Sequence, residues 1–254
     1  MCYTRPTTGR YLVGEPVKSV EYTVTAPVHN EAENIGELVD RISAAMSPLG
    51  KPWELVLVDD GSSDDSFGLM KKLKDRCPVL RALRLNGHHG QTAAMDAGIK
   101  AARGNIIITM DADLQNDPAD IPRLVEKLGE FDAAVGWRVV RQDDFVRRVS
   151  SKIANWIRNR LSDENIRDTG CSLKVFRSES IRRARLYEGL HRFLPTLVKM
   201  EGGTVTEVEV SHHPRSRGQS KYNVWNRLFR SFLDLLAIRW MKWRKLTYKV
   251  ADEA

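Results

Sequence analysis

Five short apolar runs recur through the first 138 residues, and a segment with helical periodicity follows each of the first four. EYTVTAPV (21–28), ELVLVDD (54–60), VLRALRL (79–85), IIITMD (106–111) and DAAVGWR (132–138) read as strands of the kind a sheet buries on both faces. ENIGELVDRISAAM places Ile35, Leu38, Val39, Ile42 and Met46 on one helical stripe. SDDSFGLMKKLKDR gives a second helix, with Ser63 or Asp64 expected as its N-cap. QTAAMDAGIKAAR gives a third, expected to close on Gly104, and DPADIPRLVEKLGE a fourth, with Pro118 near its first turn. Strand and helix alternating at about thirty-residue intervals call for an α/β fold, Rossmann-like, with a mostly parallel central sheet flanked by helices. Ligands of such sheets sit beyond the carboxyl ends of the strands. The chemistry therefore belongs to PVHNEAEN, DDGSSDD, NGHHGQ, DADLQND and GWR.

Those loops carry neither G-x-G-x-x-G nor a P-loop. They supply acids and amides instead: Asn30, Glu31, Asp59, Asp60, Asp111, Asp113 and Gln115. Asp59 and Asp60, just before Gly61, also read as a turn with helix caps. Asp111 and Asp113 differ, because residues i and i+2 of a strand point to the same side. Two like charges held together raise each other's pKa unless a cation lies between them. A hard divalent ion, Mg²⁺ or Mn²⁺, bound through one or two carboxylates and completed by water and phosphate oxygens, resolves the conflict. Asp111 and Asp113 are thus expected to hold a metal, and the metal a diphosphate.

At 254 residues and 42% hydrophobic, the chain can bury the core of one large domain. Cys2, Cys77 and Cys171 are odd in number and lack metal-ligand spacing, which points to a reducing compartment without a disulfide framework. MCYTRPTTGRYLV has no signal-peptide core, and no run approaches the ~18 apolar residues of a spanning helix. A cytoplasmic chain, peripheral on the cytosolic face of a membrane, is expected. The charge is unevenly placed: net −5 over residues 1–136, +7 over 137–185, and +7 again over 211–254. Such asymmetry suggests an anionic ligand or surface for the second half.

PVHNEAEN, VDDGSSDDS and MDADLQNDP, in this order and spacing, resemble the family 2 glycosyltransferases of the GT-A fold, over roughly residues 22–240. FVRRVSSKIAN, RDTGCSLKVFR, HRFLPTL and HHPRSRGQSKYNVWNRL narrow the likeness to the polyprenyl-phosphate glycosyltransferases, a group that includes the dolichol-phosphate mannose synthases. The resemblance implies a catalytic domain over 1–210, with a nucleotide-sugar half at about 20–136 and an acceptor half at about 137–210. A basic, tryptophan-rich acceptor and membrane-interface segment follows at 211–254. It further implies that Pro27, Asn30, Glu31, Asp59 and Asp111 bind the nucleotide-sugar, while Asp111, Asp113 and Gln115 surround the metal. His29 stands where the family more often has Tyr. The implied reaction is inverting transfer of a sugar from a nucleotide-sugar, with the bacterial-like DTGCSLKVF and NGHHGQTAAMDAG favouring UDP, to a polyprenyl phosphate.

A lipid monophosphate carries about −1.5 to −2 charges at neutral pH and needs forked or point-charge cations. Arg138, Arg147, Ser151, Arg217 and Lys221 are its candidates by motif position, although Arg147, Arg148 and Lys152 also fit one solvated helix face. Asp113 and Asp168 are the candidate catalytic residues. A phosphate acceptor is already largely ionised near pH 7, so Asp168 is expected either as a base or as an orienter of the sugar or of the arginines.

NVWNRLFRSFLDLLAIRWMKWRK reads as a helix with Trp225, Leu228, Phe229, Phe232, Leu236 and Trp240 on one stripe. A basic helix with aromatic anchors suits an anionic membrane surface, and an apolar stripe also suits docking on a core. A combination is expected, with the first turns docked and WMKWRK among headgroups. A homo-oligomer or a separate membrane subunit stays open. Three rivals were weighed: a transferase for a soluble or polysaccharide acceptor, an inactive membrane scaffold, and a nucleic-acid binder. The last is disfavoured by the acid-tipped strands, so no nucleic acid is expected as partner.

Overall fold

A computed structural model describes residues 19–138, 166–214, 224–246, 248 and 251–252, with only the backbone course over 224–231. Seven strands make up the sheet among these residues: β1 (Tyr22–Val28), β2 (Trp53–Asp59), β3 (Leu80–Arg84), β4 (Ile106–Thr109), β5 (Ala133–Arg138), β6 (Lys174–Arg177) and β7 (Val205–Val210). Their order is β3-β2-β1-β4-β6-β5-β7. All neighbours run parallel except β6, which is antiparallel to both β4 and β5. The mostly parallel α/β expectation holds, and the five expected strands lie within two residues of their assigned ends.

The helices are α1 (Ala32–Met46), α2 (Ser66–Leu73), α3 (Gln91–Ala101), α4 (Ile121–Leu128), α5 (Ser178–Arg183), α6 (Leu194–Met200) and α7 (Val224–Trp243). Because helices cover both faces, β1 and β2 are buried nearly throughout and read as continuous apolar runs. Ile35, Leu38, Val39, Ile42 and Met46, the stripe expected on α1, are all essentially inaccessible and join Val24, Leu55, Leu57 and Ile108 in the main core. A second cluster on the opposite face gathers Met95, Ile107, Phe176, Leu194 and Val198.

Two helix ends differ from expectation. α2 starts at Ser66, and its N-cap residue Asp65 makes no side-chain capping bond. Asp64, one residue before that position, still caps the first turn, its Oδ1 accepting from Ser66 N at 3.0 Å while Oδ2 receives Ala32 N, whereas Ser63 N and Asp64 N donate to Asn30 Oδ1. α3 ends at Ala101, before Gly104. Gly104 is there for close approach, since a Cβ would lie 2.6 Å from the Thr23 backbone nitrogen. The end of α3 is tied down instead by Arg81, which donates to the Ala101 carbonyl at 2.8 Å and pairs with buried Glu54.

α7 docks through Leu235 and Ile238 onto Leu190, Phe193 and Leu197. The Asp234 carboxylate lies where a Cβ on Gly189 would sit, 2.7 Å from it. The expected stripe is not the docked face. Phe232, Leu236 and Trp240 are exposed, as are Leu233, Trp243, Leu246 and Tyr248. The side chains of Trp225, Leu228 and Phe229 lie outside the described residues. No helix among the described residues is long and apolar enough to cross a membrane.

Candidate active site

β4 ends at Thr109, so Asp111 and Asp113 lie past the strand, and period-two alternation is not what aims them. The chain bends through residues 112–114, where Leu114 takes φ 60°. Asp113 Oδ1 accepts from Gln115 N at 3.2 Å, which closes the bend. Asp111 Oδ1 accepts from Gln91 Nε2 at 2.7 Å, and Asp111 N donates to Ser172 Oγ. Burial, followed by the charge of Asp113, pushes the Asp111 pKa up to about 6. This is the conflict of like charges expected from the sequence. The gain from Lys174, Ser172 and Gln91 does not offset it.

Arg138, at the end of β5, meets Asp168 in a forked pair: Nε to Oδ2 at 2.6 Å and one Nη to Oδ1 at 3.1 Å. Gly170 N also donates to Asp168 Oδ1. Burial opposes the Arg138 charge, but Asp168 more than restores it, and the charge of Asp111 adds to the effect. The two acids of the β4 loop and the Arg138–Asp168 pair thus share one electrostatic site. Arg147, Ser151, Arg217 and Lys221 lie outside the described residues.

The candidate nucleoside residues are more heavily braced. Pro27 lies in β1 opposite Val58. Asn30, at φ 54°, receives Ser63 N, Ser63 Oγ and Asp64 N on its side-chain oxygen. Glu31 receives Asn34 Nδ2 at 2.6 Å. Asp59 is fully buried, with Ser62 N on Oδ1 and Arg84 Nε 3.1 Å from Oδ2, though not aimed along a hydrogen bond.

Several contacts around these residues, and some residues outside the motifs, escaped the sequence reading. The Asp60 carboxylate accepts from His89 N at 2.7 Å and Gly90 N at 2.8 Å, His88 Nδ1 lies 2.9 Å from Oδ2 and 3.3 Å from the Asp60 carbonyl, and His29 stacks on His88 with ring centres 4.2 Å apart. His29, Asp60 and His88 each offer a ligand atom within 4.8 Å of the others, a possible second cation site. Yet Asp60 already serves two backbone amides, and His29 Nδ1 already meets the Asp60 carbonyl. His212, just beyond β7, feels the charges of Arg138, Asp113 and Asp168, and its buried Nδ1 has no hydrogen-bond partner. Burial and then Arg138 hold its pKa below the ordinary value. Lys174, His191 and Arg192 line a pocket of about 90 Å³ beside Asp111. Lone histidines and a lysine inside an apolar strand carry no spacing signal, so only the fold reveals them.

The family model described as Glycosyl transferase family 2 matches residues 23–185. A dodecaprenyl-phosphate galacturonate synthase of Rhizobium johnstonii is 44% identical over 230 residues, which cover 88% of this chain and 68% of the relative. An undecaprenyl-phosphate 4-deoxy-4-formamido-L-arabinose transferase of Salmonella paratyphi A is 40% identical over 223 residues, 87% of this chain and 67% of that one. Among solved structures, glucosyl-3-phosphoglycerate synthase of Mycobacterium tuberculosis, bound to Mn²⁺, UDP and phosphoglyceric acid, aligns with TM-score 0.64 at 18% identity, covering 90% of this chain and 80% of that one. The mannosyltransferase PcManGT of Pyrobaculum calidifontis, bound to GDP-Man and Mn²⁺, aligns with TM-score 0.59 at 18% identity, covering 92% and 73%. These structural likenesses establish the GT-A architecture. By its family match and its relatives, the chain belongs to glycosyl transferase family 2 and is a glycosyltransferase.

Proposed function

We propose that this enzyme transfers a sugar from a nucleotide-sugar, a UDP-sugar by preference, to a polyprenyl phosphate, in a metal-dependent displacement that inverts the anomeric carbon. The observation that carries the reading is the juxtaposition of two opposite devices at one sheet end. Asp111 and Asp113 form an anionic pair with Asp111 raised to about 6, and the Arg138–Asp168 fork presents a cation. The first suits a metal–diphosphate, the second a phosphate acceptor. The names of the two curated relatives, both built on polyprenyl phosphate, support the acceptor class.

The residues present fit a divalent cation. Asp111 and Asp113 supply carboxylates, Gln115 an amide, and His212 Nδ1 an orphaned lone pair beside them. Mg²⁺ or Mn²⁺ held there would offset negative charge growing on the departing nucleoside diphosphate. Pro27, Asn30, Glu31 and Asp59 frame the nucleoside side. Arg138, joined by Arg147, Ser151, Arg217 and Lys221, holds the acceptor phosphate so that its oxygen faces the anomeric carbon. Asp168 already accepts two guanidinium N–H groups and one backbone N–H, which favours orientation of Arg138 over proton removal. The exposed aromatic face of α7, with Arg239, Arg244 and Lys245 beside it, rests on the cytosolic face of an anionic membrane where the lipid acceptor lies.

Incubation of polyprenyl phosphate with radiolabelled UDP- and GDP-sugars, with Mg²⁺, Mn²⁺ or EDTA, tests this reading. Label should enter the lipid phase only with metal and should vanish in Asp113→Ala. Label on a soluble acceptor with none in lipid would overturn the polyprenyl reading.

A further inference from the structure

Lys174 opens β6 directly opposite Thr109 of β4, on the face that carries Met95 and Leu194. It is 3% exposed. Among the described residues its ammonium makes no hydrogen bond and no ion pair, although the carboxylates of Asp111 and Asp168 act on it through space. Burial lowers its pKa, as expected for a charge removed from water without a partner. A buried ammonium with three unused donors is costly in a finished core. This one lines the pocket beside Asp111 together with Arg192 and His191. His191 is fixed there through Nδ1, 2.7 Å from Thr92 Oγ1.

The pocket has the character of a receptor for an anion. A divalent cation on Asp111 and Asp113 would take up the nearest negative charge, and the diphosphate would meet that cation. With Asp168 held by Arg138, Lys174 then has no hydrogen-bonded anion unless the ligand brings one. Resting on the glycosyltransfer reading above, we infer that Lys174, with Arg192 and His191, recognises the carboxylate of a uronic-acid donor. The donor is thus a nucleoside-diphosphate uronate in preference to a neutral hexose or pentose. About 90 Å³ admits a carboxylate with room to spare, since one water needs only ~10–15 Å³ on this measure. Asp111 on the same wall, once neutralised by metal, would leave the pocket net positive and repel no anion. Without metal it would, so uronate preference and metal binding are coupled.

Calorimetric titration of the full chain with UDP, UDP-glucose, UDP-glucuronate and UDP-galacturonate, in Mn²⁺, tests this inference. Wild type should bind at least one uronate roughly tenfold or more tighter than UDP-glucose, the range of a charge-assisted hydrogen bond. Lys174→Met should reduce that preference to about twofold while leaving UDP affinity in place, and Lys174→Arg should keep part of it. Lys174→Met removes a desolvated charge and should melt no lower than wild type. Arg192→Met serves as a second, less buried variant and should also narrow the preference. Equal affinity of wild type for uronate and hexose overturns the inference. So does a Lys174→Met variant that weakens UDP, UDP-glucose and uronate alike, which would place the lysine on the diphosphate. Uronate preference without transfer to polyprenyl phosphate would instead defeat the acceptor reading and leave this inference standing.

Discussion

At the end of β2, backbone amides meet the Asp60 carboxylate, whereas at the end of β4, Asp111 lies buried beside Asp113, whose negative charge acts on it. The Asp60 carboxylate receives two backbone amides, and so closes the N-terminus of α3 and ties the β3–α3 turn to β2. Asp59 keeps Ser62 N and the nearby Arg84. Asp111 has Gln91 and Ser172 beside its side chain, but burial and the neighbouring Asp113 charge keep its pKa near 6. The two endings look alike in sequence, DD against DAD. They teach that an acid at a strand tip acts as a brace where backbone amides meet it, and that its pKa rises where it is buried beside a second carboxylate.

The largest expected effect separates the pairs by activity. Asp113→Ala should reduce transfer about a thousandfold while the fold survives, read by steady-state kinetics beside circular dichroism. Asp60→Ala should do the reverse in kind, costing about 2 kcal/mol of stability in denaturant melts, because two half-buried backbone amides lose a charged acceptor. A variant at Asp60 that abolished transfer without loss of stability would break the comparison.

The sequence carried much of this and stopped at definite points. β1 to β5 and α1 were legible because doubly buried strands and a five-residue helical stripe leave strong periodic signals. β6 was not, since Lys174 breaks an apolar run of only four residues and the strand enters antiparallel between β4 and β5. β7 carries Glu207 and Glu209 on a sheet edge and reads as ordinary polar surface. The expected repulsion between Asp111 and Asp113 is present, but the strand alternation expected to aim them is not, since β4 ends at Thr109. His212 and Lys174 became visible only when tertiary packing left Nδ1 and Nζ without hydrogen-bond partners.

Proton linkage sharpens the contrast further. The Asp111 pKa is raised from 3.8 to about 6, so the folded chain holds the proton more tightly than the unfolded chain. Stability from this group is full below about pH 4 and is lost as pH rises through about 6, by up to about 3 kcal/mol. Asp111→Asn should remove that slope and be more stable than metal-free wild type at pH 7, although inactive. Mn²⁺ should stabilise wild type at pH 7 and leave the Asn variant nearly unmoved. A metal-free wild type that grows more stable between pH 4 and 6.5 with no change in Asp111→Asn would contradict the assignment.

A smaller effect is expected at the acceptor fork. Asp168→Asn should raise KM for polyprenyl phosphate about tenfold while keeping the shape of the kcat pH profile, as befits a residue that orients Arg138. Loss of the acidic limb of that profile would restore Asp168 as the base. The smallest shift should come from Trp240→Ser with Trp243→Ser, which should weaken binding to anionic vesicles several-fold without altering the melting temperature, since both rings are exposed.

The most direct test is a Mn²⁺ titration followed by electron paramagnetic resonance on wild type, Asp113→Ala and His88→Ala. If the two like charges of Asp111 and Asp113 mark the metal site, wild type and His88→Ala each bind one tight ion and Asp113→Ala binds none. Binding kept in Asp113→Ala and lost in His88→Ala would move the metal to His29, Asp60 and His88 and contradict the account.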